Sequence, residues 1–169
     1  MTGTSPDIPA VPETLVFGWG NPSRGDDALG PLAVEAIEAF QRADVECLTD
    51  FQLQVEHAMD LHGRRRVLFI DASASAPPPF TVSTLHGRAD ASYTTHEMSP
   101  EAVLHVYASV FGPPPPAVLL AVRGDVWELG QDPTATALGN LAAALSWVRD
   151  WLAEPAAEPE TPPEPAAPQ

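Results

Sequence analysis

Two adjacent carboxylates, Asp26 and Asp27, sit in a glycine-rich stretch that reads Gly18-Trp-Gly-Asn-Pro-Ser-Arg-Gly-Asp-Asp-Ala-Leu-Gly30. Two further acids, Asp50 and Asp71, stand at the ends of short apolar runs. Carboxylates gathered this way serve as cation ligands or as acid–base groups. The glycines suggest a different chemistry, a phosphate cradle. A dinucleotide fingerprint needs G-x-G-x-x-G opening directly into a helix. Here Gly20 is followed by Asn-Pro-Ser-Arg, and the next glycine is Gly25. The two acids would also face the phosphate, and unlike a cation it would be repelled by roughly 3 kcal/mol per unit charge product at about 5 Å and an effective dielectric near 20. Pro31 removes one N–H from the following helix start. The local physics therefore favours a cation. Helix capping is the plainer role for Asp26 and Asp27, but one acid would suffice for it. Asp71 can equally cap the loop that follows it, and Asp50 can do the same or contact a ribose in a nucleotide binder.

A cation site needs more donors, and the five histidines are the candidates. His105 falls inside a predicted helix, His62 at a helix end and His86 at a strand end with no motif around it. His57 follows Glu56 in a short helix after Asp50, close enough to face a cleft. His96 lies in Tyr93-Thr-Thr-His-Glu-Met-Ser-Pro100, a loop before a well-signalled helix, from which it could reach the strand ends. The chain has neither an H-E-x-x-H helix nor a G-x-S-x-G elbow, so common metalloprotease and serine-hydrolase readings lack support. The single cysteine, Cys47, falls within a predicted strand and is a poor nucleophile candidate; it also excludes an internal disulfide and a cysteine-rich zinc cluster.

The elements that must hold these groups alternate. Predicted strands cover Thr14 to Gly18, Val45 to Leu48, Arg66 to Ile70, Phe80 to Leu85 and Ala117 to Val122. Predicted helices cover Pro31 to Arg42, with Pro31 at the first helical position, then Gln54 to Leu61, Ser99 to Phe111 with Ser99 as N-cap, and Pro133 to Leu152. Pro113 to Pro116 reads as a stiff linker. This order implies an α/β fold: a three-layer, doubly wound, largely parallel sheet of about five strands flanked by helices. Ligands of such sheets bind beyond the carboxyl ends of the strands, where the acids sit.

The 169 residues suit one domain, expected over 13–152. Segments 1–12 and 153–169, the latter a Pro/Ala/Glu tail, read as disordered. The formal charge of −15 argues against nucleic acid. Arg64-Arg65-Arg66, the one basic cluster, reads as a solvated helix end or pre-strand turn. The first residues do not resemble a signal peptide, and no apolar run is long enough to span a membrane. A cytoplasmic monomer without membrane contact is expected.

At its motifs the chain resembles the hydrogenase maturation endopeptidases, which process the large subunit of nickel-iron hydrogenases. The likeness runs from about Thr14 to Trp151. It rests on the Gly18–Gly30 loop, on Phe69-Ile-Asp-Ala72 and on Thr95-His-Glu-Met-Ser-Pro100. The resemblance implies that Asp27, Asp71 and His96 form the catalytic, metal-contacting set, with Gly18, Gly20, Asn21, Asp26, Gly30 and Asp50 as the supporting loops. It implies removal of a C-terminal peptide from the hydrogenase large-subunit precursor, the partner, after nickel insertion. The nickel would arrive with the substrate, and no organic cofactor is expected. The family's first ligand is often Glu, one methylene longer than Asp27. Where many members carry Asp-Gly-Gly-Thr after the second strand, this chain has Asp50-Phe-Gln-Leu-Gln-Val-Glu-His57, similar to the branch serving NAD-coupled bidirectional hydrogenases. A nucleotide-binding α/β module without hydrolysis and an inactive maturation chaperone are the alternatives.

Overall fold

Burial alternates between the two faces of each central strand, and that alternation explains the layers. In β1 (Thr14–Trp19) Val16 points one way while Leu15 and Phe17 point the other; in β3 (Arg66–Ser73) Leu68 and Ile70 oppose Val67 and Phe69. Both sets are fully buried, so both faces must be covered by other elements. The computed structural model describes residues 10–89 and 98–158. The remaining elements are α1 (Leu29–Glu38), β2 (Val45–Asp50), β4 (Phe80–Leu85), α2 (Pro100–Phe111), β5 (Ala117–Arg123) and α3 (Ala135–Ala153). Helices α1 and α3 pack on the Val16/Leu68/Ile70 face with Ala33, Ile37, Leu141, Ala144 and Val148. Helix α2 and a 3-10 segment, Val55–Leu61, cover the other face through Val103, Leu104, Ala58 and Leu61.

The five strands are ordered β2-β1-β3-β5-β4, parallel except for β4, which runs antiparallel along β5. The expected three-layer α/β architecture is thus the observed one. Chain order turns left from β1 to β2 and then jumps across to β3. The connections after β1 and β3 therefore part company at one point, opening a crevice at the carboxyl ends of these two neighbours. Asp27 follows β1, and Asp71 belongs to β3.

Several local expectations need correction. Helix α1 starts at Leu29, after a 3-10 turn over Gly25–Ala28, so Pro31 is its third residue and not its first. No hydrogen bond is lost, because the first-turn N–H groups lack intrahelical partners anyway. The helix ends at Glu38 and not at Arg42. The Gln54–Leu61 segment is a 3-10 helix, and β3 runs on past Ile70 to Ser73, which places Asp71 inside the strand opposite Ala121 of β5. The arginines are not a solvated cluster. The Arg64 guanidinium pairs with Glu46 and donates to the Pro12 carbonyl at 2.9 Å. Arg66 is buried, donates to Thr14 Oγ1 at 2.9 Å and lies over the Trp151 ring. Arg65 is the partly exposed one, and it meets Glu158 at 3.1 Å, while nearby Ala156 is buried. The first residues after α3 therefore run against the body of the domain.

Candidate active site

The β1–α1 connection is held in shape by its own backbone. Asn21 Oδ1 accepts the Ser23 N–H at 2.9 Å, and the Asn21 carbonyl accepts the Arg24 N–H at 3.1 Å, which closes a tight turn. Asn21 in turn donates its backbone N–H to Asp27 Oδ2 at 2.7 Å, so the turn aims the Asp27 carboxylate. Gly20 has φ +147°, and a Cβ there would lie 2.0 Å from the Asp27 carbonyl oxygen. Only glycine fits. At Gly30 a Cβ would lie 2.2 Å from the Trp19 carbonyl oxygen, so this glycine lets α1 sit directly on the end of β1. Gly18, within β1, pairs with Thr49 and Ile70 on its two neighbours. The glycines of this loop thus serve close packing, which accounts for them without a phosphate.

The adjacent acids divide their work. Asp26 is fully buried. Its Oδ2 accepts the N–H groups of Asp125 and Val126, at 2.8 and 3.0 Å, and the Thr134 hydroxyl at 3.1 Å. Its Oδ1 accepts the Thr134 N–H at 2.7 Å. Burial opposes ionisation of this carboxyl, but the Asp125, Thr134 and Val126 N–H groups and the Thr134 hydroxyl outweigh it and hold the pKa below the ordinary value. Neither acid caps α1, which has no side-chain N-cap bond. Asp26 instead ties the first loop to the β5–α3 connection, and Thr134, itself the N-cap of α3 through a 3.1 Å bond from the Ala137 N–H, completes the tie.

Asp27 and Asp71 line one cleft of about 330 Å³ together with Trp19, Phe51, Ala72, Ala74 and Trp127. Asp27 comes from the loop after β1, Asp71 from β3, Phe51 from the end of β2 and Trp127 from the connection after β5. The cleft is the crevice that the strand order opens. Its charged walls are carboxylates, with no base among the described lining residues, so a cation suits it. Two carboxylates joined by an imidazole would accommodate nickel or zinc. Among the described residues no three His, Cys, Asp or Glu side chains come together to hold a metal, and His96 lies outside the described residues.

The other candidates lie elsewhere. Asp50 ends β2 beside the cleft; its Oδ1 accepts the Phe51 N–H at 2.7 Å and its Oδ2 lies 3.2 Å from His57 Nε2. His57 Nδ1 accepts the Gln54 N–H at 2.8 Å, so in the neutral ring Nε2 carries the proton and donates to Asp50. His57 packs on Phe17 and anchors the turn after β2 rather than facing the Asp27 cleft. His62 meets Tyr107 Oη at 3.2 Å, and His86 and His105 are exposed. Burial, helped by Glu38 and Glu46, pushes the Cys47 thiol up to about 11, in keeping with a poor nucleophile. The sequence reading missed the aromatic walls. Trp127 follows a predicted strand by a few residues, and the strand-end rule that selected Asp71 could have selected it too.

No protein-family profile and no curated relative matches the chain. Solved structures do. The hydrogenase maturating endopeptidase HybD from E. coli superposes with a TM-score of 0.66 at 25% identity, over 83% of this chain and 92% of that one. The nickel-iron hydrogenase maturation protease HycI from Thermococcus kodakarensis gives 0.65 at 19% identity, over 85% and 94%. A hydrogenase 2 maturation peptidase from a Thaumarchaeota archaeon gives 0.61 at 23%, over 83% and 97%. The chain thus shares its fold, over nearly the whole length of both chains, with hydrogenase maturation endopeptidases, and it is 25% identical to the E. coli enzyme.

Proposed function

We propose that the protein is an endopeptidase that removes a C-terminal peptide from the nickel-loaded large-subunit precursor of a nickel-iron hydrogenase. One observation carries the reading: Asp27 and Asp71, from separate elements, share a cleft at the switch point of a sheet whose structural relatives are hydrogenase maturation proteases. Nickel belongs to the substrate in this reading. Asp27, Asp71 and His96 contact it, and its docking brings the scissile peptide to the cleft. A metal held there polarises the neighbouring carbonyl or activates water. The chain's own part is to present carboxylates in fixed directions, Asp27 through Asn21, and to exclude bulk water with Trp19 and Trp127. The protein acts in the cytoplasm as a monomer on a polypeptide partner.

The test is incubation of a precursor, with and without nickel, followed by intact mass. Shortening at the C-terminus only after nickel loading is expected. Asp27→Ala, Asp71→Ala and His96→Ala should each leave the precursor at full length. Full processing by these variants would refute the site, and processing by none, wild type included, would refute the activity.

A further inference from the structure

Phe51 stands between two cavities. One is the cleft of Asp27 and Asp71. The other, about 240 Å³, is bounded by Gly20, Pro22, Pro31, Thr49, Asp50 and Phe51. Phe51 is 66% exposed and so is not committed to the core, yet its backbone is pinned to Asp50 at 2.7 Å. The second cavity offers little to a polar guest. Its two prolines have no N–H, and the Gly20 N–H is already given to the Asp50 carbonyl at 3.1 Å. The Asp50 carboxylate is engaged through both oxygens, by Phe51 and His57. What remains is an open, mostly carbon-lined hollow that shares Phe51 with the cleft of Asp27 and Asp71.

We propose that this hollow is a specificity subsite, taking an apolar side chain from a residue that flanks the cleaved bond, with Phe51 as its specificity-determining wall. The proposal rests on the peptidase reading above. A polypeptide lying across Phe51 with its scissile bond over Asp27 and Asp71 places a neighbouring side chain in the hollow. A fitted apolar pocket discriminates by roughly 10–200-fold between side chains that fill it and side chains that do not.

The test uses the full chain and nickel-loaded precursor. The mass of the released peptide locates the cut, and each flanking residue is then varied among Ala, Leu, Asp and Lys. At one of the two positions Leu should exceed Ala in kcat/KM by about tenfold or more, with Asp and Lys slowest. Phe51→Ala should reduce the Leu/Ala ratio toward one. Thr49→Phe, made at an exposed edge-strand position and therefore tolerated by the fold, should fill the hollow and remove the Leu preference. Equal rates for all side chains at both positions, a preference for Lys, or an unchanged Leu/Ala ratio in both variants would overturn the subsite while precursor shortening still upheld the peptidase. Failure to shorten any precursor would overturn both.

Discussion

Replacing Asp26 by Asn changes one atom of the buried carboxylate that ties the first loop to the β5–α3 connection. The carboxylate accepts from four donors, three on Oδ2 and one on Oδ1. An Asn side chain has one acceptor end and one donor end. If its oxygen takes the Oδ2 position, the amide NH2 faces the Thr134 N–H; if reversed, it faces the N–H groups of Asp125 and Val126. The first arrangement is better, and it still strands one buried N–H and turns three charge-assisted bonds into neutral ones. Stranding a buried donor costs about 1–3 kcal/mol, and bonds to a charged group outweigh neutral ones by about 1 kcal/mol. With three bonds weakened and one donor stranded, a loss of about 4–6 kcal/mol is expected, a large part of a typical total of about 5–15 kcal/mol. The sign with pH follows from linkage. The folded-state pKa is lowered, so the stabilisation is complete above the unfolded value near 3.8 and is lost as pH falls through the folded value. Urea unfolding of wild type and Asp26→Asn should therefore show a constant gap between about pH 7 and 5, closing in stronger acid. A gap under about 0.5 kcal/mol at pH 7, the size of an ordinary surface substitution, or one that widens in acid, would refute this account of Asp26.

Other perturbations separate the remaining roles. Gly20→Ala places a methyl 2.0 Å from the Asp27 carbonyl oxygen; backbone strain of about 1–3 kcal/mol or more should appear in thermal melts, with processing falling further than stability because Asp27 is displaced. Ser99→Ala removes the α2 cap, a 3.1 Å bond from the Ala102 N–H, and should cost about 1 kcal/mol or more in urea unfolding. Thr134→Ala removes both a cap and an Asp26 partner and should cost more than the roughly 1 kcal/mol of a cap alone in the same assay. Cys47, half-buried and pushed up to about 11, should resist alkylation at neutral pH and react readily in denaturant, as followed by mass.

Patterns of period and punctuation made the elements legible. The apolar runs at Thr14, Arg66 and Ala117 are parallel strands covered on both faces, and Ser99 is the N-cap its position announced. Helix α1 misled because Pro31 is compatible with any first-turn position, so proline alone does not mark the start. The arginines misled for a different reason. A run of three charges looks solvated until the partners are known, and those of Arg64 and Arg66 include Glu46, Thr14 and Trp151, from other elements. At the site, the sequence placed Asp27 and Asp71 at strand ends, which the fold brings to one cleft. It could not separate the duties of Asp26 and Asp27, because the donors that claim Asp26 lie about a hundred residues away. His96 lies outside the described residues, so its place beside the acids is an expectation of the processing assay.

The closing turn of α3 contains no basic residue of its own. Its exposed carbonyls are met instead by arginines from the first half of the chain: Arg42 donates to the Leu152 carbonyl at 2.6 Å, and Arg66 to that of Trp151 at 3.0 Å. The same helix supplies Leu141, Ala144, Val148 and Leu152 to one of the two cores. During synthesis this face of the sheet therefore has only α1 to cover it, and Arg42 and Arg66 keep Asp44 and Thr14 as partners but lack these carbonyls, until the last turn of α3 has been made.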